Sequence, residues 1–159
     1  MINISHEGKT AIITGGAKGI GKGISTAFAR AGANVVIVHR SSLEEAEAFA
    51  SRLQNEYHIK VLSLQRDMSS EEDVVRVFDQ AEDEFGRVDI LINNAGSLKH
   101  LPITEPELTD WTYYLANNLT AYFLTTREFG LRNKDDGKGG HIVNVLSKSA
   151  FSNTSTDNA

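Results

Sequence analysis

Apolar runs and amphipathic stretches alternate along the whole chain. TAIIT, at residues 10–14, is a short β-rich run, and Ile20, Ile24, Ala27, Phe28 and Ala31 then recur at helical spacing until Gly32. NVVIVH is apolar almost throughout, the pattern of a strand covered on both faces. Ser42 and Glu45 have the spacing of a capping box, opening a helix with Leu43, Ala46, Ala50 and Leu53 inward. IKVLSLQ is a third strand. A second box, Ser69 with Glu72, opens a helix whose stripe is Val74, Phe78, Ala81 and Phe85. VDILINN is a fourth strand. A long helix starts near Thr109 or Asp110 and runs through WTYYLANNLTAYFLTTREFG. After the glycine-rich, charged loop NKDDGKGG comes a fifth strand, HIVNVLS.

The order βαβαβαβαβ predicts parallel strands, because each crossover spends a helix's length of chain. Right-handed crossovers then give a doubly wound, Rossmann-like α/β sheet with helices on both faces. No repeat, low-complexity segment or linker divides residues 1–159, so one domain is expected. Composition changes little: 40% apolar and 23% charged residues are ordinary for a globular protein. A formal charge of −5, with scattered basic residues, argues against a nucleic-acid partner. The absence of cysteine excludes disulfides, thiolate metal sites and cysteine nucleophiles, and fits a cytoplasmic protein. No apolar run is long enough to span a bilayer, and MINISHEGK lacks the form of a signal peptide.

Ligands of such sheets bind beyond the carboxyl ends of the strands, where the winding reverses. After the first strand comes TGGAKGIG, with Gly15, Gly19 and Gly21 spaced G-x-x-x-G-x-G. That loop offers a tight turn, backbone open to a pyrophosphate and a helix N-terminus to receive its charge. After the second strand, where an acidic residue would bind the ribose hydroxyls of NAD, stand His39 and Arg40. Arg40, with Lys18 of the glycine loop, could pair with the 2′-phosphate of NADP instead, which favours NADP while leaving NAD possible. His39 has no second ligand at a matching spacing, so neither metal binding nor catalysis is expected of it. Asp67, in RDMSS after the third strand, stands where an adenine amino group would sit, or caps the next turn as an Asx turn. The small residues of NNAG after the fourth strand would let backbone pass close to a ribose.

TGGAKGIG, Asp67, NNAG, Asn118 in NNLTAYF and Ser147 in IVNVLS occur in the order and spacing of the short-chain dehydrogenase/reductase family, which the chain resembles from Lys9 onward. The resemblance implies hydride transfer between NAD(P)(H) and a small-molecule alcohol or carbonyl. It implies that Gly15, Gly19, Ile20 and Gly21 hold the pyrophosphate side, Asp67 meets the adenine, and Asn94, Ala95 and Gly96 line the ribose. It makes Ser147 the residue that stabilises charge on the substrate oxygen and Asn118 the holder of a relay water. The spacing from Trp111 favours Asn118 over Asn117. A 3-oxoacyl-carrier-protein-reductase-like or sugar/polyol-dehydrogenase-like activity is the expected subtype, and a homo-oligomer is expected of a full-length member.

One part of the pattern is missing. The family's proton donor is a tyrosine with a lysine four residues on, normally thirteen residues after the serine, one position past Ala159. Tyr57, Tyr113, Tyr114 and Tyr122 have no lysine at that spacing, and Lys148, beside Ser147, points elsewhere. The family's last strands, helices and substrate-binding segment are absent as well. A chain of these residues alone is therefore expected to be inactive, with an exposed fifth strand that promotes association. Three origins are open at this stage: part of a longer reductase, a truncated inactive product, or a non-catalytic nucleotide-binding module.

Overall fold

A computed structural model describes residues 4–41, 43–98, 102, 104–135 and 137–147. Five strands, β1 (Thr10–Thr14), β2 (Asn34–His39), β3 (Val61–Gln65), β4 (Ile90–Asn93) and β5 (His141–Asn144), form one sheet in the order β3-β2-β1-β4-β5. All four pairings are parallel. Helices α1 (Gly19–Arg30), α2 (Leu43–Tyr57) and α3 (Glu71–Phe85) fill the first three crossovers. The fourth is one long helical run: α4 (Leu108–Leu115), a π-helical turn (Ala116–Thr120) and α5 (Ala121–Asn133). The expected doubly wound sheet is present.

Period-two alternation sorts the central strands onto two cores. On one face Ile12, Val36, Val38, Leu64 and Leu91 pack against Val74, Val77, Phe78 and Ala81 of α3 and Ala121, Leu124 and Phe129 of α5. On the other, Ala11, Ile13, Val35, Ile37, Ile90 and Ile92 pack against α1 and Ala46, Phe49, Ala50 and Leu53 of α2. β2 must therefore be apolar on both sides, as its sequence reads.

Local expectations shift in α1, α2 and α3; Leu43, expected inward at the start of α2, is exposed. The fully buried residues of α1 are Gly21, Ser25 and Ala29; of the expected stripe Ile24 and Phe28 pack partly buried against this core, while Ile20 is 68% exposed and Ala27 is exposed. Gly21 passes close under the glycine turn, so small residues take the most buried positions and the apolar stripe is shifted to one side. The cap of α3 is Ser70, whose hydroxyl accepts from the Asp73 amide, one residue later than the expected Ser69–Glu72 box. Ser69 is instead taken by Asp67. The box begun by Ser42 lies outside the described residues, as do Lys148 and all that follows it.

β5 stands at a sheet edge with all four residues exposed. Trp111, Leu115, Leu119 and Phe123, four residues apart along the helical run, are also exposed. No helix among the described residues is long and apolar enough to cross a membrane.

Candidate active site

β2 and β3 lie on one side of β1, and β4 and β5 on the other, so the winding reverses between β1 and β4. A cleft of about 430 Å³ opens there, at the carboxyl ends of the strands. It brings together Gly15, Lys18, Gly19, Ile20, Arg40, Asp67, Asn94, Ala95 and Gly96, nine of the ten residues expected to hold a cofactor. The tenth, Gly21, lies just beneath. A Cβ there would stand 2.2 Å from the Gly15 carbonyl oxygen and 2.5 Å from Asn94 Nδ2.

The floor of the cleft is a clamp between β1 and β4. Thr14 Oγ1 accepts from the amides of Asn94 (2.9 Å) and Ala95 (3.0 Å), and Asn94 Nδ2 donates to the Thr14 carbonyl at 2.9 Å. Gly15 turns the chain at φ +65°, in the left-handed region. Helix α1 then opens at Gly19 without a side-chain cap and without an acidic residue in its first turn. Its first amides, which no carbonyl of the helix can satisfy, are left for an anion. By contrast, α3 is capped by Ser70 and carries Glu71, Glu72 and Asp73 in its first turn.

The β2 end of the cleft is lined by Val38, His39, Arg40 and Ser41, with no carboxylate. Buried His39 is spent on structure: Nδ1 lies 3.1 Å from the Ser41 carbonyl, which can only accept, so Nε2 accepts from Ser63 Oγ at 3.2 Å. Arg40 reaches across to the helical run, donating from Nη1 to Asn117 Oδ1 and from Nη2 to Tyr113 Oη, both at 2.6 Å. Its guanidinium also lies 5.5 Å from the Tyr113 ring centroid. The Tyr113 phenol is drawn below its ordinary pKa by the neighbouring Ser97 hydroxyl and then by Arg40. Lys18 pairs with Glu45 at 3.4 Å. Asp67 makes the Asx turn, accepting on Oδ1 from the Ser69 amide (2.9 Å) and hydroxyl (2.7 Å), and still lines the cleft.

Asn118 sits in the π-helical turn, a distortion often found at functional positions. Its amide pairs with the backbone of Ser97, accepting from N and donating to O, both at 2.8 Å. It therefore ties the loop after β4 to the helical run. Ser147 follows β5 and is exposed. Neither Asn118 nor Ser147 lines the cleft. Buried Asn93 holds the neighbourhood together: it donates to Asn144 Oδ1 at 2.9 Å and accepts from Thr125 Oγ1 at 2.7 Å.

Sequence reasoning missed Thr14, Asn117, Arg66 and Met68. Thr14 was visible only as a polar residue closing an apolar strand. The spacing from Trp111 favours Asn118 over Asn117, and the π turn that holds both is not visible in a helical pattern. Among the described residues no group of three His, Asp or Glu side chains could hold a metal ion.

The fold and cleft define a doubly wound α/β protein with a glycine-lined site at its switch point. The family model described as short chain dehydrogenase matches residues 9–157, and the chain belongs to that family of oxidoreductases. It is 34% identical over 150 residues to the 3-oxoacyl-(acyl-carrier-protein) reductase FabG of Aquifex aeolicus, covering 94% of this chain and 60% of that protein. It is 38% identical over 144 residues to D-threitol dehydrogenase of Mycolicibacterium smegmatis, covering 91% of this chain and 54% of the relative. The chain thus spans little more than half the length of these relatives. Among solved structures, a short-chain type dehydrogenase/reductase from Mycobacterium marinum superposes with a TM-score of 0.88 at 30% identity, over 94% of this chain and 58% of that one. A 7 alpha-hydroxysteroid dehydrogenase complexed with NADH and 7-oxo glycochenodeoxycholic acid gives 0.86 at 31%, over 94% and 57%.

Proposed function

We propose that the chain is the nucleotide-binding portion of a short-chain oxidoreductase that prefers NADP over NAD and acts on a small-molecule carbonyl or alcohol. The observation that carries the reading is the uncapped N-terminus of α1 beneath the glycine turn, facing the switch-point cleft. Its free amides suit a pyrophosphate. Among the described residues, Lys18, Arg40 and Arg66 line the cleft against a single carboxylate, Asp67, so the site favours an anion. The NADP preference rests on Arg40, which stands at the β2 end with no competing carboxylate.

A bound pyridine nucleotide would supply or accept the hydride. The chain's own residues bind and orient. Gly15, Gly19, Ile20 and Gly21 hold the pyrophosphate side, Asp67 faces the adenine, and Asn94, Ala95 and Gly96 line the ribose. Ser147 donates a hydrogen bond to the substrate oxygen as charge grows there. Asn118 belongs to the relay end of the site through its grip on the Ser97 loop. No tyrosine in the 159 residues is followed four positions on by lysine, so these residues alone are proposed to bind cofactor without turning over substrate. Relatives that reduce a 3-oxoacyl chain or oxidise a polyol support those two subtypes. The reading includes a cytoplasmic location, no nucleic-acid or membrane partner and, for a full-length protein, a homo-oligomer.

The test is a titration of NADPH and NADH into the wild type and Arg40→Ala. Tighter NADPH binding that Arg40→Ala abolishes supports the reading. An unchanged preference in the variant removes the argument at Arg40.

A further inference from the structure

Each terminal nitrogen of Arg40 already spends one N–H donor on the helical run. Nη1 donates to Asn117 Oδ1 and Nη2 to Tyr113 Oη, while the guanidinium lies over the Tyr113 ring. Asn117 is itself held for this task, since its Nδ2 donates to the Tyr113 carbonyl at 2.7 Å and leaves Oδ1 facing Arg40. The Arg40 main chain is fixed separately, its carbonyl accepting from Gln65 Nε2 at 3.1 Å. The backbone at the β2 end is thus anchored, while the side chain spans from there to the helical run. A 2′-phosphate taken bidentate at the Nη1–Nη2 end of the guanidinium meets the same two nitrogens that Asn117 and Tyr113 hold.

We propose that Tyr113 and Asn117 form a latch that competes with the 2′-phosphate for Arg40, and so set how strongly the site discriminates between phosphorylated and unphosphorylated adenosine. This rests on the NADP reading above and deepens it. Tyr113 and Asn117 act through Arg40 and are positioning residues. A 2′-phosphate that takes the Nη1–Nη2 end draws Arg40 off the latch, so its apparent affinity is reduced to the extent that the latch is closed. A ligand without that phosphate has no use for the guanidinium and binds without opening it. Two hydrogen bonds on a side chain at the surface keep the latch closed in most molecules but not overwhelmingly so. Removing both partners is then expected to tighten the phosphorylated ligand by roughly three- to tenfold.

The experiment uses adenosine 2′,5′-bisphosphate and 5′-AMP as probes of this end of the cleft, titrated calorimetrically. The proteins are the wild type, Tyr113→Ala/Asn117→Ala, Arg40→Ala and the triple variant. The expected result is a roughly three- to tenfold rise in the ratio of bisphosphate to 5′-AMP affinity in the double variant, and no rise in that ratio in the triple variant. Tyr113→Phe, which keeps the ring and removes the hydroxyl, should give an intermediate gain. Weaker bisphosphate binding to the double variant would overturn the proposal, since the pair would then be presenting Arg40 to the phosphate. Equal tightening of 5′-AMP would overturn it too, because Arg40 would merely be blocking the mouth. If Arg40→Ala alone binds both probes like the wild type, the NADP reading itself fails. If Arg40→Ala loses the bisphosphate and the double variant changes nothing, only the latch fails.

Discussion

Two glycines on the same helix should respond to alanine in opposite directions. Gly21 and Gly23 both lie in α1, where alanine is favoured over glycine by about 1 kcal/mol. At Gly23 an added Cβ meets nothing within 4 Å, so Gly23→Ala should stabilise by most of that amount. At Gly21 the same methyl would stand 2.2 Å from the Gly15 carbonyl oxygen and 2.8 Å from its carbonyl carbon. The obstacle is backbone of the glycine turn, which has no rotamer into which to retreat. Overpacking of this kind costs roughly 1–3 kcal/mol, and the rigid neighbour places Gly21→Ala near the upper end. After the helical gain is subtracted, the net loss is about 1–2 kcal/mol. Urea denaturation followed by circular dichroism reads both. With a slope of roughly 2 kcal/mol per molar, the midpoint should rise by about 0.3–0.5 M for Gly23→Ala and fall by about 0.5–1 M for Gly21→Ala. Gly21→Ala should also weaken nucleotide binding, because the displaced residue is Gly15. If Gly21→Ala raised the midpoint as Gly23→Ala does, the close packing of α1 under the glycine turn would be refuted.

Thr14→Val keeps the shape of a buried side chain but leaves the Asn94 and Ala95 amides without their acceptor, at about 1–3 kcal/mol for each donor left unmet. Hydrogen exchange at those two amides should accelerate before the rest of the sheet responds, and unchanged rates would contradict the clamp. At Asp89, burial raises the carboxyl pKa. The Thr10 amide, Lys9 and Arg87 more than offset this, so the folded-state value lies below the ordinary one. A depressed carboxyl pKa stabilises the fold above the unfolded-state value near ~4 and loses that contribution as pH falls through the folded value. Asp89→Asn should therefore lower stability at neutral pH and flatten the decline on acidification, as measured by thermal melts from pH 7 down to pH ~2; an equally steep decline would count against the Asp89 network. The exposed Trp111, Leu115, Leu119 and Phe123, with Ile142 and Val143 on the open edge, predict concentration-dependent association of a chain of these residues in sedimentation velocity. A strictly monomeric boundary at high concentration would contradict that expectation.

The parts of the fold that sequence reveals are those where one property decides the outcome. β2 is apolar on both faces because helices cover both, and that constraint writes itself as NVVIVH. The glycine turn is visible because positive φ and close backbone approach admit little else at Gly15 and Gly21. On α1 the apolar spacing finds Ile24 and Phe28, which pack against the core, but also selects exposed Ile20 and Ala27 and passes over Gly21 and Ser25, which are buried because the close approach to the glycine turn needs small residues. Ser70 displaced Ser69 as a cap because Asp67 captured the Ser69 hydroxyl, a local competition with no periodic signature. Asn118 was found by resemblance, whereas its pairing with Ser97 depends on a π turn that helical spacing conceals. The partners of Arg40 lie more than seventy residues away in the chain, and no local pattern could have joined them.

The central claim is that the switch-point cleft receives a pyridine nucleotide across the open end of α1. Its most direct test is the amide spectrum of the isotopically labelled chain as NADPH is added. The predicted result is saturable shifts concentrated at Gly15, Lys18, Gly19, Ile20 and the amides of Asn94 to Gly96, with smaller changes on the far faces of α2 and α3. The absence of shifts at Gly19 and Ile20 under saturating NADPH, or shifts centred outside the cleft, would contradict it.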